Sequence, residues 1–326
     1  MNSSSKLLLV TGASGFLGSR IVRHAREGGW AVRALCRSPQ SFGDGIELVI
    51  GDIRDTSLLR SASQGVAAIV HAAGLAHVFG RKAKDAATFN AINELGTLNV
   101  VNAAVESNVR HVILLSSVAV YGNSPTSKSD ETVACHPKGP YGVSKRRGEL
   151  KAIARVENTS TALTILRLAT VYGEGDRGNV ARLIRLLDCG RFIWLGAGLN
   201  RKSLIYVEDA ARACVRALDR AVPGVEVFNV SGTPVPMRQI VMTICEALGC
   251  QVPKRAIPAP ILDTALLMSR AFGDSLSLFQ RITRFLEDDA YEGTNFERTF
   301  GFKTLTSLST GLHREVDYIR TRALSS

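Results

Sequence analysis

The stretch "KLLLVTGASGFLG" spans residues 6–18. Its apolar run is too short for a helix and stops at a segment with glycines at 12, 15 and 18. A buried parallel strand reads this way, and the glycines then mark a tight turn into a helix. Gly12 allows the turn, Gly15 lets a ligand approach the backbone, and Gly18 lets the helix pack against the strand. A helix N-terminus offers unpaired N–H groups and a positive dipole end, which suit a pyrophosphate. Gly12, Gly15, Phe16, Leu17 and Gly18 are therefore expected to cradle a dinucleotide. An ordinary strand–turn–helix is the competing reading.

Outward from this turn, strand-like and helix-like runs alternate. Further strands are expected at 31–37, 46–52, 67–74, 111–117 and 162–168. Helices are expected at 16–28, 83–107 and 140–156. This alternation predicts an α/β fold with a Rossmann-type, doubly wound parallel sheet. After about residue 175 the rhythm changes to short strands mixed with helices near 178–189, 208–220 and 236–249. We expect a dinucleotide-binding part over 1–175 and a smaller α/β substrate-binding part over 176–326, with some later elements returning to the first sheet.

Composition narrows the class. At 326 residues the chain fits one large domain or one with an appendage. Hydrophobic residues make up 45%, enough for a substantial core. The excess of 40 Lys and Arg over 29 Asp and Glu gives a net charge of +11, which suits an anionic partner. The basic residues are spread out and aromatics are only 6%, so no nucleic acid is expected. The six cysteines stand at 36, 135, 189, 214, 245 and 250, with no C-x-x-C spacing, so no metal is expected and the thiols read as reduced. The leader "MNSSSK" is polar and no apolar run reaches membrane-spanning length, which predicts a cytoplasmic protein without a transmembrane segment.

The second strand ends in "ALCRSP". An acidic side chain there would hold the ribose 2′-OH of NAD, whereas Arg37, aided by Arg33, suits the 2′-phosphate of NADP. A solvated surface arginine is the alternative, so NAD and NADP both stay open, with NADP favoured by Arg37. Asp52 and Ile53, at the end of the third strand, are expected to flank the adenine.

In "PYGVSKRRGEL" (140–150), Tyr141 and Lys145 are four apart and share a helix face. An ammonium beside a phenol favours the phenolate, and a phenol titrating nearer neutrality can exchange a proton with a carbinol oxygen. The fifth strand ends in "LLSSVAVYG", which offers Ser116 or Ser117 to steady a substrate oxygen.

Together with "GDIRD", "HAAG", "ILRLATVYGEGDRGNV" and "LGAGLNRKSLIYVEDAARA", these segments resemble the extended short-chain dehydrogenase/reductases of the NAD-dependent epimerase/dehydratase family. The resemblance runs from about residue 6 to 320. It implies that Tyr141 is the acid/base, Lys145 its partner, and Ser117 the third catalytic residue in preference to Ser116. It also implies that Ala72, Ala73 and Gly74 lie beside the cofactor, that Lys145 reaches a cofactor ribose hydroxyl, and that Asn93 has a structural role near the site. Ser117, Asn179, Val180, Arg201 and Lys202 would contact a diphosphate-linked sugar, with a plain helix N-cap as the alternative for Asn179. Asp209 is expected to cap or anchor the helix at 208–220.

Two departures from the family pattern stand out: Lys202 occupies a position that often holds Arg, and Leu168 follows Arg167 where Pro is common. The lead function implied is a nucleotide-sugar 4-epimerase acting on a UDP-hexose or UDP-N-acetylhexosamine, with a polyprenyl-diphosphate sugar as the other carrier. The alternative is an NADPH-dependent reductase of a 4-keto-6-deoxy sugar, and a minor one is a non-enzymatic dinucleotide sensor. Dehydratase chemistry is disfavoured because "SSVAVYG" lacks the S-T-D-E pattern. A homodimer through 83–107 and 140–156 is expected, and the Pro-punctuated segment 253–283 is a candidate for peripheral membrane contact.

Overall fold

The computed structural model describes residues 6–76, 86–122, 129–257 and 287–324. Strands β1 (Leu7–Thr11), β2 (Ala31–Cys36), β3 (Ile46–Ile50), β4 (Ala68–His71), β5 (His111–Ser117) and β6 (Ala162–Leu168) build the first half. Short pairs follow: β7 (Thr170–Tyr172) with β10 (Leu204–Tyr206), β8 (Trp194–Leu195) with β13 (Ala256–Ile257), and β9 (Arg201–Lys202) with β12 (Val235–Pro236). Strand β11 (Val225–Val230) returns to pair parallel with β6. The central sheet is seven-stranded, in the order β11-β6-β5-β4-β1-β2-β3, and every neighbouring pair is parallel. Strand order reverses direction at β1 and β4, which opens a crevice at their C-terminal ends.

The helices among the described residues are α1 (Gly18–Glu27), α2 (Thr56–Ala62), α3 (Ala86–Phe89), α4 (Gly96–Glu106), α5 (Gly139–Val156), α6 (Asn179–Asp188), α7 (Val207–Arg216), α8 (Met237–Leu248), α9 (Thr294–Phe300) and α10 (Leu308–Leu324). A π-helical turn, Asn90–Leu95, joins α3 to α4. Sequence periodicity did not indicate α2. It is only seven residues long and starts on the Asp55 carboxylate, which accepts from the Ser57 and Leu58 amides at 3.0 Å each.

Alternation along β1 explains how both sheet faces are covered. Leu8 and Val10 point into a core shared with Ile21, Ala25, Ala210 and Cys214, whereas Leu9 points into the opposite core with Leu59, Val100 and Ala152. All seven residues of β6 are buried, as a central parallel strand requires. A third core, around Ile184, Val241 and Leu312, holds the second half together. No helix among the described residues is long and apolar enough to cross a membrane. Most of the segment 253–283 lies outside the described residues, as does the start of the helix expected from 83.

Candidate active site

The glycine turn is built by close approach. Gly12 has φ +68°, and a Cβ there would lie 2.6 Å from the Ala73 nitrogen. A Cβ at Gly18 would lie 2.1 Å from the Gly12 oxygen. The first turn of α1 carries no acidic side chain and no side-chain cap, so its positive end is left for a ligand anion. The loop after β4 closes over the same region: a Cβ at Gly74 would sit 3.4 Å from Lys145 Nζ and 3.3 Å from Asn93 Oδ1.

The π-turn aims Asn93 at this loop. Its side-chain oxygen accepts from the Leu75 amide at 2.7 Å, and Nδ2 donates to the Leu75 oxygen and to Ser144 Oγ, each at 3.0 Å. Behind it, His71 lies between Thr11 Oγ1 at 2.7 Å and Thr97 Oγ1 at 3.1 Å. Burial, with the Lys145 charge nearby, pushes the His71 imidazole down to about 3, so it is neutral at physiological pH. Sequence reasoning missed His71. A polar residue ending an apolar strand was its only trace.

Ser117, Tyr141 and Lys145 come together where β5 ends against the first turns of α5. Gly142 permits the approach, since a Cβ there would lie 2.6 Å from the Ala119 oxygen. Ser117 starts a short 3-10 turn, Val118–Val120, and its Oγ accepts from the Ala119 amide at 3.2 Å. Lys145 Nζ donates to the Leu115 oxygen at 2.6 Å. Burial lowers the Lys145 ammonium to about 8, opposed by the Glu149 carboxylate. Tyr141 differs from the expectation that Lys145 would pull its phenol down. Burial raises it, and a hydrogen bond with Ser117 opposes that rise. The phenol is desolvated, and Lys145 donates to a backbone oxygen of β5 instead of offsetting that rise. Ser116, the other serine considered, donates to the buried Glu149 carboxylate at 2.5 Å.

Just past the end of β2, Arg37 is exposed. Arg33 does not assist it, because its guanidinium donates to the Ala62 and Gln64 oxygens and pairs with Glu47. Asp52 is held by Arg54 through both oxygens, at 2.9 Å each. Ile53 is buried under the start of α4, where a Cβ on Gly96 would meet its side chain at 2.5 Å.

The second half places its expected residues less openly. Gly178, not Asn179, is the N-cap of α6. The capping acceptor is Asp176, which takes the Gly178 amide at 2.7 Å and the Ala181 amide at 3.2 Å. Asn179 is exposed, while the Val180 side chain is core and leaves only its backbone for contact. Lys202 pairs with Asp289 at 2.7 Å and also donates to the Glu287 oxygen at 2.8 Å. Arg201 donates to the Pro234 oxygen at 2.6 Å. Asp209 anchors α7 to the distant chain, accepting from the Leu305 and Thr306 amides.

Residues 8–231 match the NAD dependent epimerase/dehydratase family. The chain belongs to that family. Among curated proteins it is 30% identical to N-acetyl-alpha-D-glucosaminyl-diphospho-ditrans,octacis-undecaprenol 4-epimerase of Escherichia coli O157:H7, covering 95% of this chain and 94% of that one. It is 28% identical to UDP-glucose 4-epimerase of Vibrio cholerae, covering 94% and 93%. Among solved structures it resembles MoeE5 in complex with UDP-glucuronic acid and NAD, with a TM-score of 0.78 and 26% identity over 97% of this chain and 99% of that one.

As a member of the NAD dependent epimerase/dehydratase family, the protein is an NAD(P)-dependent enzyme of the short-chain dehydrogenase/reductase type. The residues present fit such a dinucleotide. The glycine turn keeps side chains away from the start of α1, and Gly74 leaves the path to Lys145 open. Glu149, on the same helix as Lys145, is fully buried and accepts from Ser116 and Arg167. Its place four residues after Lys145, on the same helix face, was a usable sign that went unread.

Proposed function

We propose that the protein is a C4 epimerase of a diphosphate-linked sugar. The carrier is either a nucleotide, in a UDP-hexose or UDP-N-acetylhexosamine, or a polyprenyl diphosphate. The observation that carries this reading is the convergence of Ser117, Tyr141 and Lys145 in a chain whose full-length relatives include two 4-epimerases.

In this reading Ser117 steadies the C4 oxygen and Tyr141 takes the hydroxyl proton. A dinucleotide held there would supply the hydride acceptor and donor for C4. Lys145, anchored on the Leu115 oxygen, holds the cofactor ribose. Tyr141 returns its proton once the sugar has presented its other face. Gly12, Gly15, Phe16, Leu17 and Gly18 hold the pyrophosphate. Ala72, Ala73 and Gly74 line the path to the reacting end, and Asp52 and Ile53 flank the adenine. Asn179, the Val180 backbone, Arg201 and Lys202 contact the substrate diphosphate, which requires Lys202 to exchange Asp289 for the ligand. A cytoplasmic homodimer through the face where Leu95 and Leu150 are exposed belongs to the same reading.

The test is to denature freshly purified protein, identify any released dinucleotide, and assay UDP-N-acetylglucosamine and its undecaprenyl-diphosphate counterpart for C4 inversion. Stoichiometric NAD⁺ with inversion of either sugar supports the epimerase. An empty site and no inversion overturn it.

A second reading is an NADPH-dependent reductase, favoured by the exposed Arg37 at the end of β2. A full-length relative, 27% identical over 94% of this chain and 97% of that one, is 2-alkyl-3-oxoalkanoate reductase of Stenotrophomonas maltophilia. Arg37→Asp should then shift preference from NADPH to NADH. An unchanged preference removes this reading.

A further inference from the structure

Glu149 is fully buried one helical turn beyond Lys145 and two beyond Tyr141. Residues four apart share a helix face, so its carboxylate extends the stripe that the phenol begins. Four donors converge on it. Oε1 accepts from Ser116 Oγ at 2.5 Å and Arg167 Nε at 3.1 Å. Oε2 accepts from Arg167 Nη2 at 2.9 Å and Arg146 Nη1 at 2.8 Å. The forked arginine contact fixes orientation as well as charge. Arg167 is fixed in turn, donating to the Tyr121 hydroxyl at 2.9 Å, which donates to Asn229 Oδ1 at 2.8 Å.

The consequence is a three-rung seam between β5 and α5. Leu115 meets Lys145 through its backbone oxygen, Ser116 meets Glu149, and Ser117 meets Tyr141. Along β5 Ser116 stands between Leu115 and Ser117, while along α5 Glu149 follows Lys145 by one turn, and this contact is the one braced from β6 by Arg167.

We propose that Glu149 is a positioning residue: braced by Arg167, it holds the end of β5 in register with α5 so that Ser117 meets Tyr141 while Lys145 keeps its place. This rests on the reading of Tyr141 and Lys145 as catalytic. Glu149 also supplies negative charge that favours the ammonium of Lys145 in a desolvated cleft. The other charged or titratable groups around this pair are Arg146, Arg167, Tyr121, Cys135 and His71. The neutral His71 cannot replace the carboxylate.

The test uses the full chain with Glu149→Gln and Ser116→Ala. The Lys145 titration is read by carbon-13 NMR of the reductively methylated protein, assigned with Lys145→Arg. The Tyr141 phenol is read by ultraviolet difference titration against Tyr141→Phe. Glu149→Gln should lower the lysine titration by roughly one pH unit. Ser116→Ala keeps the carboxylate and should leave the lysine unchanged, yet raise the phenol titration as the Ser117 contact loosens. It should also cut kcat roughly tenfold, with KM within about twofold. An unshifted lysine in a folded Glu149→Gln protein overturns the proposal. If that variant does not fold, Ser116→Ala decides: an unmoved phenol overturns the idea and a raised one supports it. Absence of turnover by the unaltered enzyme on every diphospho-sugar would sink the functional reading, yet leave both titrations readable.

Discussion

Lys145 Nζ donates to the backbone oxygen of Leu115 at 2.6 Å, tying the cation of α5 to the strand that also carries Ser117. The proposed roles of Lys145 and Tyr141 can therefore be separated. Tyr141→Phe removes only the proton carrier. Turnover should fall by about 10²–10⁴, with dinucleotide affinity within about twofold of the original. Lys145→Met should lower both turnover and dinucleotide affinity. Equilibrium dialysis alongside a rate assay makes the comparison, and a fully active Tyr141→Phe enzyme would discard the assignment.

The glycine turn is sterically closed at one position and looser at another. A Cβ at residue 18 would lie 2.1 Å from a backbone oxygen, whereas one at residue 15 would lie 3.1 Å from the same atom. Gly18→Ala should cost about 1–3 kcal/mol through overpacking and lose dinucleotide binding. Gly15→Ala should disturb stability less. Urea midpoints of the two variants rank them, and an equal loss would show that the backbone relaxes freely at 18.

Glu315 lies fully buried on α10, where its Oε2 accepts from the Gly173 amide at 3.0 Å and its Oε1 has no hydrogen-bond partner among the described residues. Burial, then the nearby Asp176 charge, pushes its carboxyl up to about 9 from an ordinary 4.5. Between those two values the folded protein keeps a proton that the unfolded chain releases. Stability from this group therefore falls as pH rises through that window. Glu315→Gln cannot ionise and still accepts from Gly173. Its Tm should exceed that of the unaltered protein near the upper end of the window and converge with it near the lower end. Parallel curves of Tm against pH would refute the account.

Asn93 makes two hydrogen bonds to Leu75 and one to Ser144, linking the loop after β4 to α5. Asn93→Ala should leave the Leu75 groups unpaired at a local cost of about 1–3 kcal/mol. Amide exchange at Leu75 should then quicken while that of β1 stays slow. Unchanged exchange at Leu75 would mean that the loop is held by other contacts.

Several features could be read along the chain because their causes are local. A glycine between a strand and a helix is demanded by the turn itself. The spacing of Tyr141 and Lys145 follows from helix pitch. The apolar runs of β1, β5 and β6 identify a buried parallel sheet because both faces of such strands are covered. The Rossmann-type order, with β2 and β3 on one side of β1 and β4 to β6 on the other, follows from the same alternation.

The tertiary structure decided what depends on segments far apart in sequence. Nothing near residue 149 announces that its partners are Ser116 and Arg167, from two different strands. Nothing near Asn179 announces that Asp176 does the capping, since both residues are competent acceptors. Lys202 reads as an available cation until Asp289 is folded against it. The Tyr141 phenol was expected to fall on spacing alone, yet burial raises it, because desolvation depends on everything packed around the group. Backbone conformation is set largely within a few neighbouring residues. The charge, pairing and solvation of a side chain are set by whatever distant chain the fold brings to it.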